Sequence, residues 1–573
     1  MNHSYPIYTV ETECQDCYKC VRHCPVKAIK VVDGHASVIP ELCVACGNCV
    51  EVCPAHAKKV RNDLQRAQLM IKADAPVYVS LAPSWVSEFR GVENEQMVAA
   101  LRTLGFAGVA ETALGAELVS ARTAEALADN KAGIMISSAC PAAVDYIRRF
   151  RPDFAPAISK TLSPALAHCK MLREEFGDDI KTVFIGPCIA KKNEADRYPD
   201  LLNLTLTFIE LKRWFKEEAV NSYDMTPGET DRFVTGTAAN GALYPVEGGM
   251  IGTIQACGGV DHVHFAELTG IAAMEQALEG LHPGDVKETV FIETLACQGG
   301  CVHGPCTEHD SPGLLERLRI FGRARAPKSN AVAACHTDIT TDFDGEPTPE
   351  DNINLADIRR ALRRVGKFNP DDELNCGGCG YDTCRNFAKA LLAEKAEPSM
   401  CVSYLRKQAQ KKANALLRCI PSGVVIVGPD LKIIECNQRF ANTFGEDTAA
   451  AFDALPGLAG ADLKRIVPFT DLFASCLENG QDIHRDSLRV ENRLYSVTVF
   501  SIELHEAVGA VIFDVTSTEL RREQIAERAR EVIDRNVAAV QEIACLLGEN
   551  MADTEILLRS IAEDYADEPA AEN

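Results

Sequence analysis

The first chemically informative feature of the chain is its cysteines, which lie in tight clusters separated by long stretches that contain few of them. There are 24 cysteines in 573 residues. A secreted disulfide scaffold is usually short, with its cysteines spread along the whole chain. Local clusters instead indicate thiolate ligands for metals in a reducing compartment, so we expect a cytoplasmic metalloprotein.

Residues 1–65 contain two cysteine runs of identical spacing, C-x2-C-x2-C-x3-C-P. Such a run wraps three corners of a 4Fe-4S cubane, and its fourth cysteine crosses to the other cluster. Zinc is the alternative, but it prefers two separated C-x2-C pairs. The segment resembles a two-cluster bacterial ferredoxin, which carries electrons and does no bond chemistry. The predicted ligand sets are Cys14, Cys17, Cys20 and Cys53 for one cluster, and Cys24, Cys43, Cys46 and Cys49 for the other.

Three loops in the central region, residues 70–365, place further cysteines directly after predicted strands. They read Ser137-Ser-Ala-Cys140-Pro141, Gly186-Pro-Cys188-Ile-Ala-Lys191-Lys192-Asn-Glu194 and Glu293-Thr-Leu-Ala-Cys297-Gln-Gly-Gly-Cys301. A lone cysteine after a strand is usually a packing residue. Three such loops are more informative, because sites in α/β folds gather at the carboxyl ends of strands. Together, Cys140, Cys188, Cys297 and Cys301 could hold one cubane.

These loops resemble the three signature motifs of the FeFe (iron-only) hydrogenases. The resemblance implies an H-cluster, in which a 4Fe-4S cubane is joined to a two-iron centre that carries CO, cyanide and a dithiolate. By position the four cysteines match the cubane ligands, and Cys301 matches the bridge to the two irons. Lys191 matches the residue that donates a hydrogen bond to one cyanide, and Glu194 completes the same motif. The earlier loop with Pro83 and Ser84 resembles the one that contacts the other cyanide.

The central region also departs from the family pattern, chiefly along its proton path. Ala139 stands where the family has a cysteine that relays protons, and alanine cannot exchange a proton. Gly186 and Leu295 replace two methionines. Arg122 aligns to a glutamate of the family's proton path, whereas Ser159 is retained. This pattern resembles the sensory hydrogenases, which turn over slowly.

A last cysteine group, within residues 366–405, predicts a fourth cluster. Glycines beside the thiols let the loop fold tightly, and the segment resembles a small 4Fe-4S domain of redox proteins. Zinc is again the alternative. This cluster would take electrons out of the catalytic domain or report its redox state. The predicted ligands are Cys376, Cys379, Cys384 and Cys401, and the cysteines predicted to pack rather than ligate are Cys169, Cys257, Cys306 and Cys335.

The elements that position these residues follow from the spacing of apolar residues. Strands at 77–81 and 182–185 alternate with helices at 97–104 and 166–176, which is typical of an α/β domain with a largely parallel sheet. Residues 410–518 read as an α+β module and resemble a PAS domain. A helical segment follows at 519–566, with apolar steps of mostly three or four. It would either form a homodimeric coiled coil or pack back on the PAS domain.

Composition excludes several classes of partner. The net charge of -23 argues against nucleic acid and against an anionic membrane surface. No stretch approaches the ~20 apolar residues of a membrane helix, and the start lacks the basic and apolar parts of a signal peptide. The expected partners are therefore H2 and protons, the family's maturation proteins, and either a ferredoxin-like electron carrier or a signalling kinase or phosphatase.

Three functions remain open on the sequence. The first is an H2-sensing FeFe hydrogenase that signals through its PAS domain and final helix. The second is a catalytic, ferredoxin-linked hydrogenase. The third is a hydrogenase-like iron–sulfur carrier without the two-iron centre. Infrared bands of CO and cyanide would separate the third from the other two.

Overall fold

The computed structural model describes residues 5–129, 132–308, 313–324, 337–348, 353–491, 493–516 and 532–540. The chain divides into two compact units, Met1–Met400 and Cys401–Asn573. The finer domain limits expected from the sequence stay predictions. No helix among the described residues is long and apolar enough to cross a membrane.

The N-terminal segment is held together by two small antiparallel strand pairs. Ile7–Thr9 pairs with Lys58–Val60, and Ile29–Val32 pairs with His35–Val38. The second pair turns through Asp33 and Gly34, whose φ angles are both positive, at 52° and 84°. That is the geometry of a two-residue type I′ hairpin, for which Asp-Gly is a favoured sequence. A short helix lies within each cysteine run, Lys19–His23 in the first and Asn48–Glu51 in the second.

The central region contains two parallel sheets where the sequence predicted one. Parallel strands are covered on both faces and so read as nearly continuous apolar runs, which is why the strands at 77–81 and 182–185 are recognisable. The first sheet has the order Gly108–Glu111, Val77–Leu81, Lys181–Gly186 and Leu204–Thr207. The second has the order His264–Thr269, Thr289–Leu295 and Gly133–Ile136.

Helices surround these sheets and confirm the two that the sequence predicted. One begins after Ser163, whose hydroxyl accepts a hydrogen bond from the amide of Leu166, and Pro164 occupies the first helical position. A Cβ at Gly115 would lie 2.2 Å from the carbonyl oxygen of Pro164, so only glycine permits this helix contact. The longer helices are Asn94–Thr103, Thr112–Asp129, Pro141–Phe150, Pro164–Phe176, Ala190–Arg197, Phe208–Glu217, Gly249–Cys257, Ile271–Leu278 and Gly313–Ala324.

The last part of the first unit is a helix pair. Leu355–Arg364 packs against Cys384–Leu392 through a small apolar cluster that includes Ile358, Leu362 and Ala388. The loop between these helices carries Cys376 and Cys379 of the predicted fourth cluster, and it ends at Cys384, the first residue of the second helix.

The second unit begins with the helix Val402–Cys419 and continues into an antiparallel five-stranded sheet. The sheet order is Ile433–Cys436, Gly423–Val427, Ala507–Asp514, Arg493–Glu503 and Ile483–Val490. Its other helices are Gln438–Thr443, Glu446–Ala454 and Thr470–Asn479. Helices and strands enclose a core that contains Phe440, Phe473 and Cys436.

The described part of the final helical segment packs on this same unit. Residues 532–540 are helical. Val540 is buried in a cluster with Leu417 and Val424. The side-chain amide of Asn536 donates a hydrogen bond of 2.7 Å to the Ser422 hydroxyl. Of the two alternatives, this piece therefore takes the packed-back arrangement. The remaining apolar positions of the predicted helix lie outside the described residues: Ile543, Leu547, Met551, Leu558 and Ile561.

Candidate metal centre

Four thiols from three separate loops meet at the carboxyl ends of strands. Cys140 caps the helix Pro141–Phe150 after one strand, Cys188 follows a second strand, and Cys297 and Cys301 follow a third. These strands belong to both parallel sheets, so the loops converge from two layers of the fold. All four residues line one small cavity, and Cys46 of the N-terminal segment lines it as well.

The thiols in this cavity are close enough to oppose one another's ionisation. Burial raises the pKa of Cys188 to about 11, and the charge of Cys140 adds to the effect. Burial also raises the pKa of Cys301, as do the charges of Cys140 and Cys188, whereas Lys191 lowers it. A bound cation reverses this balance, because thiolates coordinated to metal are deprotonated outright. Four clustered, buried thiols are thus a donor set that fits a cubane.

Lys191 lies beside these thiols as a buried ammonium, 7% exposed. Its Nζ donates hydrogen bonds of 2.8 Å to the Ser163 hydroxyl and 2.6 Å to a carboxylate oxygen of Glu194. It also lies 5.9 Å from the ring centre of Phe184. The structure thus places Glu194 and Ser163 as groups that hold the lysine in one orientation. An ammonium has three N–H donors, so these two bonds leave the third for an acceptor in the site.

Ser84 lies on the loop that follows the strand Val77–Leu81, after Pro83. It is 1% exposed, and its hydroxyl has no hydrogen-bond partner among the described residues. A buried unsatisfied hydroxyl costs about 1–3 kcal/mol. The loop is tied to the second cysteine loop, because the amide of Ala82 donates to the carbonyl of Ile185 at 2.9 Å. An orphaned hydroxyl at this position fits a polar group of a bound cofactor.

The ring of Phe184 explains why Gly186 stands where the motif that this loop resembles has a methionine. A Cβ at Gly186 would lie 2.6 Å from the Phe184 ring and 2.9 Å from Cβ of Ala82. The ring therefore takes the space that a methionine side chain at position 186 would need. The sequence did not reveal that the Phe184 ring fills this space, although the strand was predicted and residues two apart on a strand share a face.

Ala139 lies beside a short chain of buried hydroxyl groups. Its own amide donates to the hydroxyl of Ser137 at 3.1 Å. Ser138 is 2.9 Å from Thr161, and Thr161 is 3.2 Å from Ser159. These hydroxyls connect the first cysteine loop with Ser159, but position 139 itself offers no acid or base.

The hydroxyl chain ends at a cavity of about 600 Å³. Ser159, Thr161 and Arg122 all contribute to its lining. Arg122 pairs with Glu125 at 2.9 Å, so part of its positive charge is neutralised. The structure thus brings Arg122 and Ser159 to the same cavity.

The N-terminal cysteines group in the crossed pattern. Burial raises the pKa of Cys20, Lys58 opposes the shift, and the charges of Cys14, Cys17 and Cys53 add to it. Burial likewise raises the pKa of Cys49 well above its ordinary value, with contributions from Cys43, Cys46 and Cys24. These neighbours are the members of the two predicted sets, although the ligand assignment itself stays a prediction.

Lys192 has a structural role that the sequence analysis missed. It is completely buried, and its Nζ lies 3.0 Å from Asp63 Oδ2 and 2.9 Å from Glu210 Oε2. It also donates to the carbonyl of Thr205 at 3.1 Å. The lysine thereby ties the chain that leaves the N-terminal segment to the strand and helix behind the second cysteine loop. Nothing but its place next to Lys191 marked it in the sequence.

Two of the cysteines predicted to pack are indeed buried, Cys169 and Cys306. The amide of Cys306 donates to the carbonyl of Pro187 at 3.2 Å. The prediction for Cys257 is wrong, because this residue is exposed at the end of its helix. Cys335 lies outside the described residues.

The cysteine loop of the predicted fourth cluster is closed by a side chain. Asn375 accepts a hydrogen bond of 2.8 Å from the amide of Cys384, which draws the ends of the loop together. Cys379 and Cys384 are buried, whereas Cys376 is exposed. Cys401 is the first residue of the second unit and precedes the helix Val402–Cys419.

Family models match the chain in four places. Residues 75–305 match the C-terminal domain of the iron-only hydrogenase large subunit. Residues 6–54 match a 4Fe-4S dicluster domain, 372–403 an Fe-S cluster domain, and 412–484 a PAS domain.

Curated relatives are distant and of two kinds. The periplasmic [Fe] hydrogenase large subunit of Nitratidesulfovibrio vulgaris is 26% identical, over 54% of this chain and 87% of its own. Iron hydrogenase 1 of Clostridium pasteurianum is 25% identical, over 39% of this chain and 46% of its own. The cytosolic Fe-S cluster assembly factor narfl of Danio rerio is 24% identical, over 42% of this chain and 67% of its own.

Two solved structures align with parts of the chain. An [FeFe]-hydrogenase structure that addresses oxygen inactivation aligns with a TM-score of 0.40 at 18% identity, over 50% of this chain and 100% of the other. The PAS domain of an HTR-like protein from Haloarcula marismortui aligns with a TM-score of 0.14 at 18% identity, over 19% of this chain and 93% of the other.

Proposed function

For a hydrogenase-like iron–sulfur protein with a PAS domain, we propose the function of an H2 or redox sensor. In this proposal the protein binds an H-cluster, activates H2 slowly and passes the resulting redox state to its PAS domain and final helix. Electrons travel through 4Fe-4S clusters, four in all, one of which belongs to the H-cluster.

The observation that carries the proposal is the convergence at one cavity. Cys140, Cys188, Cys297 and Cys301 line it, and the buried ammonium of Lys191 acts on the last of them. When bound, the two-iron centre supplies the heterolytic cleavage of H2, and Cys301 is the residue proposed to bridge it to the cubane. The protein's own contribution is to hold, orient and polarise that cofactor.

Two side chains have proposed contacts with the cyanide groups. Lys191 directs its remaining N–H donor toward one of them, and Glu194 and Ser163 prevent the lysine from swinging away. Ser84 offers its unpaired hydroxyl to the other. Each contact satisfies a buried polar group of the protein, so cofactor binding removes a desolvation cost as well as adding a bond.

A sensing role follows from Ala139 and from the second unit. A sensor must register H2 but does not need a high flux, and the missing proton relay at position 139 limits the rate. The helix Val402–Cys419 leads from the last predicted cluster ligand into the PAS sheet, on which Leu417 packs. The partners proposed for this reading are a separate signalling kinase or phosphatase, or a ferredoxin-like carrier, and the family's maturation proteins.

The proposal also includes a cytoplasmic location, because thiolate ligands persist in a reducing compartment. Homodimer formation is proposed only for the part of the final helix beyond residue 540, since residues 532–540 pack on their own chain. If the protein instead turns over fast, it is a catalytic hydrogenase of the same chemistry.

A second candidate function is an iron–sulfur carrier that lacks the two-iron centre. It is favoured by the similarity to the cluster assembly factor of Danio rerio. Such a carrier needs the cysteines but has no use for a cyanide-binding lysine and serine.

Infrared spectroscopy of the matured protein tests the choice. We expect CO and cyanide bands, and the cyanide bands should shift in Lys191→Met and in Ser84→Ala. Lys216→Met is the matched control, because Lys216 is exposed on another helix and should leave every band in place. Fully loaded cubanes without any CO or cyanide band would favour the carrier and refute the sensor.

A further inference from the structure

The segment at 366–400 is docked on the N-terminal cysteine segment. Arg22 donates to the carbonyl of Gly378 at 3.4 Å, and the ammonium of Lys27 donates to the carbonyl of Gly380 at 2.9 Å. Gly380 also packs so closely that a Cβ there would lie 2.7 Å from the side chain of Val21. The loop that carries Cys376, Cys379 and Cys384 thus covers the helix Lys19–His23, which lies between two predicted ligands of different N-terminal clusters.

A second contact locks the same two segments together. The type I′ turn at Asp33 and Gly34 points both of its amides at the carboxylate of Glu397, at 2.6 and 3.3 Å. The neighbouring amide of Val31 donates to the carbonyl of Lys395 at 3.0 Å. Hydrogen bonds from amides to a carboxylate are charge-assisted and stronger than neutral ones. The docking is therefore specific in register and does not rest on apolar contact alone.

Tyr381 lies inside this interface. It is 5% exposed, and its hydroxyl has no hydrogen-bond partner among the described residues. The adjacent Gly380 contacts the side chain of Val21 and accepts a hydrogen bond from Lys27, two residues that flank Cys24 in the chain. The phenol therefore lies where the loop of the predicted fourth cluster meets the first cysteine run, which carries Cys24. A buried O–H without a partner fits an acceptor that a bound cluster would supply, such as a cluster sulfur.

The same N-terminal cluster is the one next to the catalytic cavity. Cys46 lines that cavity together with Cys140 and Cys297. Cys24 belongs to the same predicted ligand set as Cys46. One predicted cluster thus has the catalytic thiols on one side and Tyr381 on another.

We propose that the cluster held by Cys24, Cys43, Cys46 and Cys49 is a junction, and that electrons leave it for the fourth cluster through the docked interface around Tyr381. The proposal rests on the proposed function for the source of the electrons. It adds the route by which the electrons leave the junction cluster. In each step one electron leaves the junction cluster, which is oxidised, and enters the fourth cluster, which is reduced. No proton moves, because Tyr381 keeps its hydrogen and only donates a hydrogen bond.

The tyrosine should also set the driving force of this step. Hydrogen bonds to cluster sulfurs tune the reduction potential, because they stabilise the more negative, reduced state. Tyr381→Phe keeps the ring and removes the donor, so the potential of the cluster that it contacts should fall. We expect at least a threefold change in the reduction equilibrium, which is about 28 mV for a one-electron couple at 59 mV per tenfold change.

The test uses the full chain with reconstituted cubanes, reduced by dithionite and followed by electron paramagnetic resonance. In the wild type, magnetic coupling should broaden the signals of the fourth and the N-terminal clusters. Tyr381→Phe should keep the broadening but lower one potential. Unbroadened wild-type signals, or four unchanged potentials in Tyr381→Phe, would overturn the proposal.

Glu397→Gln tests the docking separately. Loss of the carboxylate should weaken the coupling and speed hydrogen exchange at the amides of Asp33 and Gly34. Glu394→Gln is the matched control, because Glu394 is exposed in the same segment and should change neither readout. Equal exchange rates in both variants would show that the docking does not depend on Glu397, against the proposal.

Comparing reduction by dithionite with reduction by H2 distinguishes a failure of this inference from a failure of the proposed function. If H2 reduces no cluster while the dithionite titrations behave as described, the proposed function fails and the junction stands. If H2 reduces the catalytic and N-terminal clusters but coupling to the fourth is absent, the function stands and the junction fails.

Discussion

Replacing Ala139 by cysteine should raise the rate of H2 turnover. Position 139 is next to the predicted cubane ligand Cys140, and alanine there cannot pass a proton. A positioned acid–base group typically contributes ~100- to 10,000-fold. The side chain at 139 is half-buried, so a thiol has room to reach the site without repacking the core.

The structure limits the gain in H2 turnover that is expected from Ala139→Cys. Beyond position 139 the proposed proton path would include Ser159 and a cavity of about 600 Å³, which has room for many water molecules. Water can therefore carry protons through the outer part of the path. Arg122 at this cavity repels a proton, but its pairing with Glu125 reduces that repulsion. We expect a gain near the lower end of the range, ~100-fold or about 2.7 kcal/mol.

The assay is H2 uptake and evolution by matured wild type and Ala139→Cys at matched cluster loading. Ala139→Ser is the control, because a hydroxyl of similar size is a much weaker acid than a thiol and should give little gain. A second step, Ala139→Cys combined with Arg122→Glu, should add to the single change if the cavity is the outer path.

Two results would refute this reasoning. A wild type that already works at the usual high rate of hydrogenases would show that Ala139 does not limit it, and would favour the catalytic enzyme. Equal gains in Ala139→Cys and Ala139→Ser would show that the effect is not acid–base transfer. If all variants are slow, the block lies elsewhere, and Phe184 opposite Gly186 becomes the next position to change.

Four further predictions follow from the site. Cys301→Ser should abolish H2 chemistry and leave the N-terminal clusters visible by paramagnetic resonance; normal turnover would contradict the assigned bridge. Iron analysis of the matured protein should give about 18 irons per chain, counting four per cubane, whereas stable zinc at the fourth site would contradict that assignment. Lys192→Met should lower the free energy of unfolding by about 3–5 kcal/mol, because Asp63 and Glu210 lose their buried counterion; the exposed control Lys216→Met should change it little. Burial lowers the pKa of His168 to about 3, so below the unfolded pKa near 6.5 only the unfolded chain takes up this proton. The free energy of unfolding therefore decreases by about 1.4 kcal/mol for each unit by which the pH falls below about 6.5. In thermal unfolding at pH 7.5 and 5.5, His168→Gln should lose less stability than wild type.

The cysteine chemistry could be predicted from the sequence because it depends on short-range spacing. A loop that wraps a cubane needs its thiols two or three residues apart, and this requirement is visible without any fold. The strands before Cys188 and Cys297 were also predictable, since buried parallel strands read as apolar runs. The family resemblance of the central region, the cluster segments and the PAS domain is confirmed by the matched models.

Contacts between distant parts of the chain could not be predicted in this way. The pairing of Lys192 with Asp63, 129 residues away, depends on how the N-terminal segment meets the second cysteine loop. Sequence periodicity also did not reveal that the central strands form two sheets, because it reports burial and not which strand pairs with which.

The sequence by itself predicted which residues bind metal, since that depends on residue type at a known spacing, and the family resemblance predicted where a proton relay is missing. Only the tertiary structure decided that Glu194 holds Lys191, that the Phe184 ring takes the space of a methionine, and that the loop before Tyr381 docks on the first cysteine run. These arrangements join segments far apart in the chain, or depend on where a ring packs. Their physical basis is the close packing of the interior, because the position of each side chain there depends on all of its neighbours.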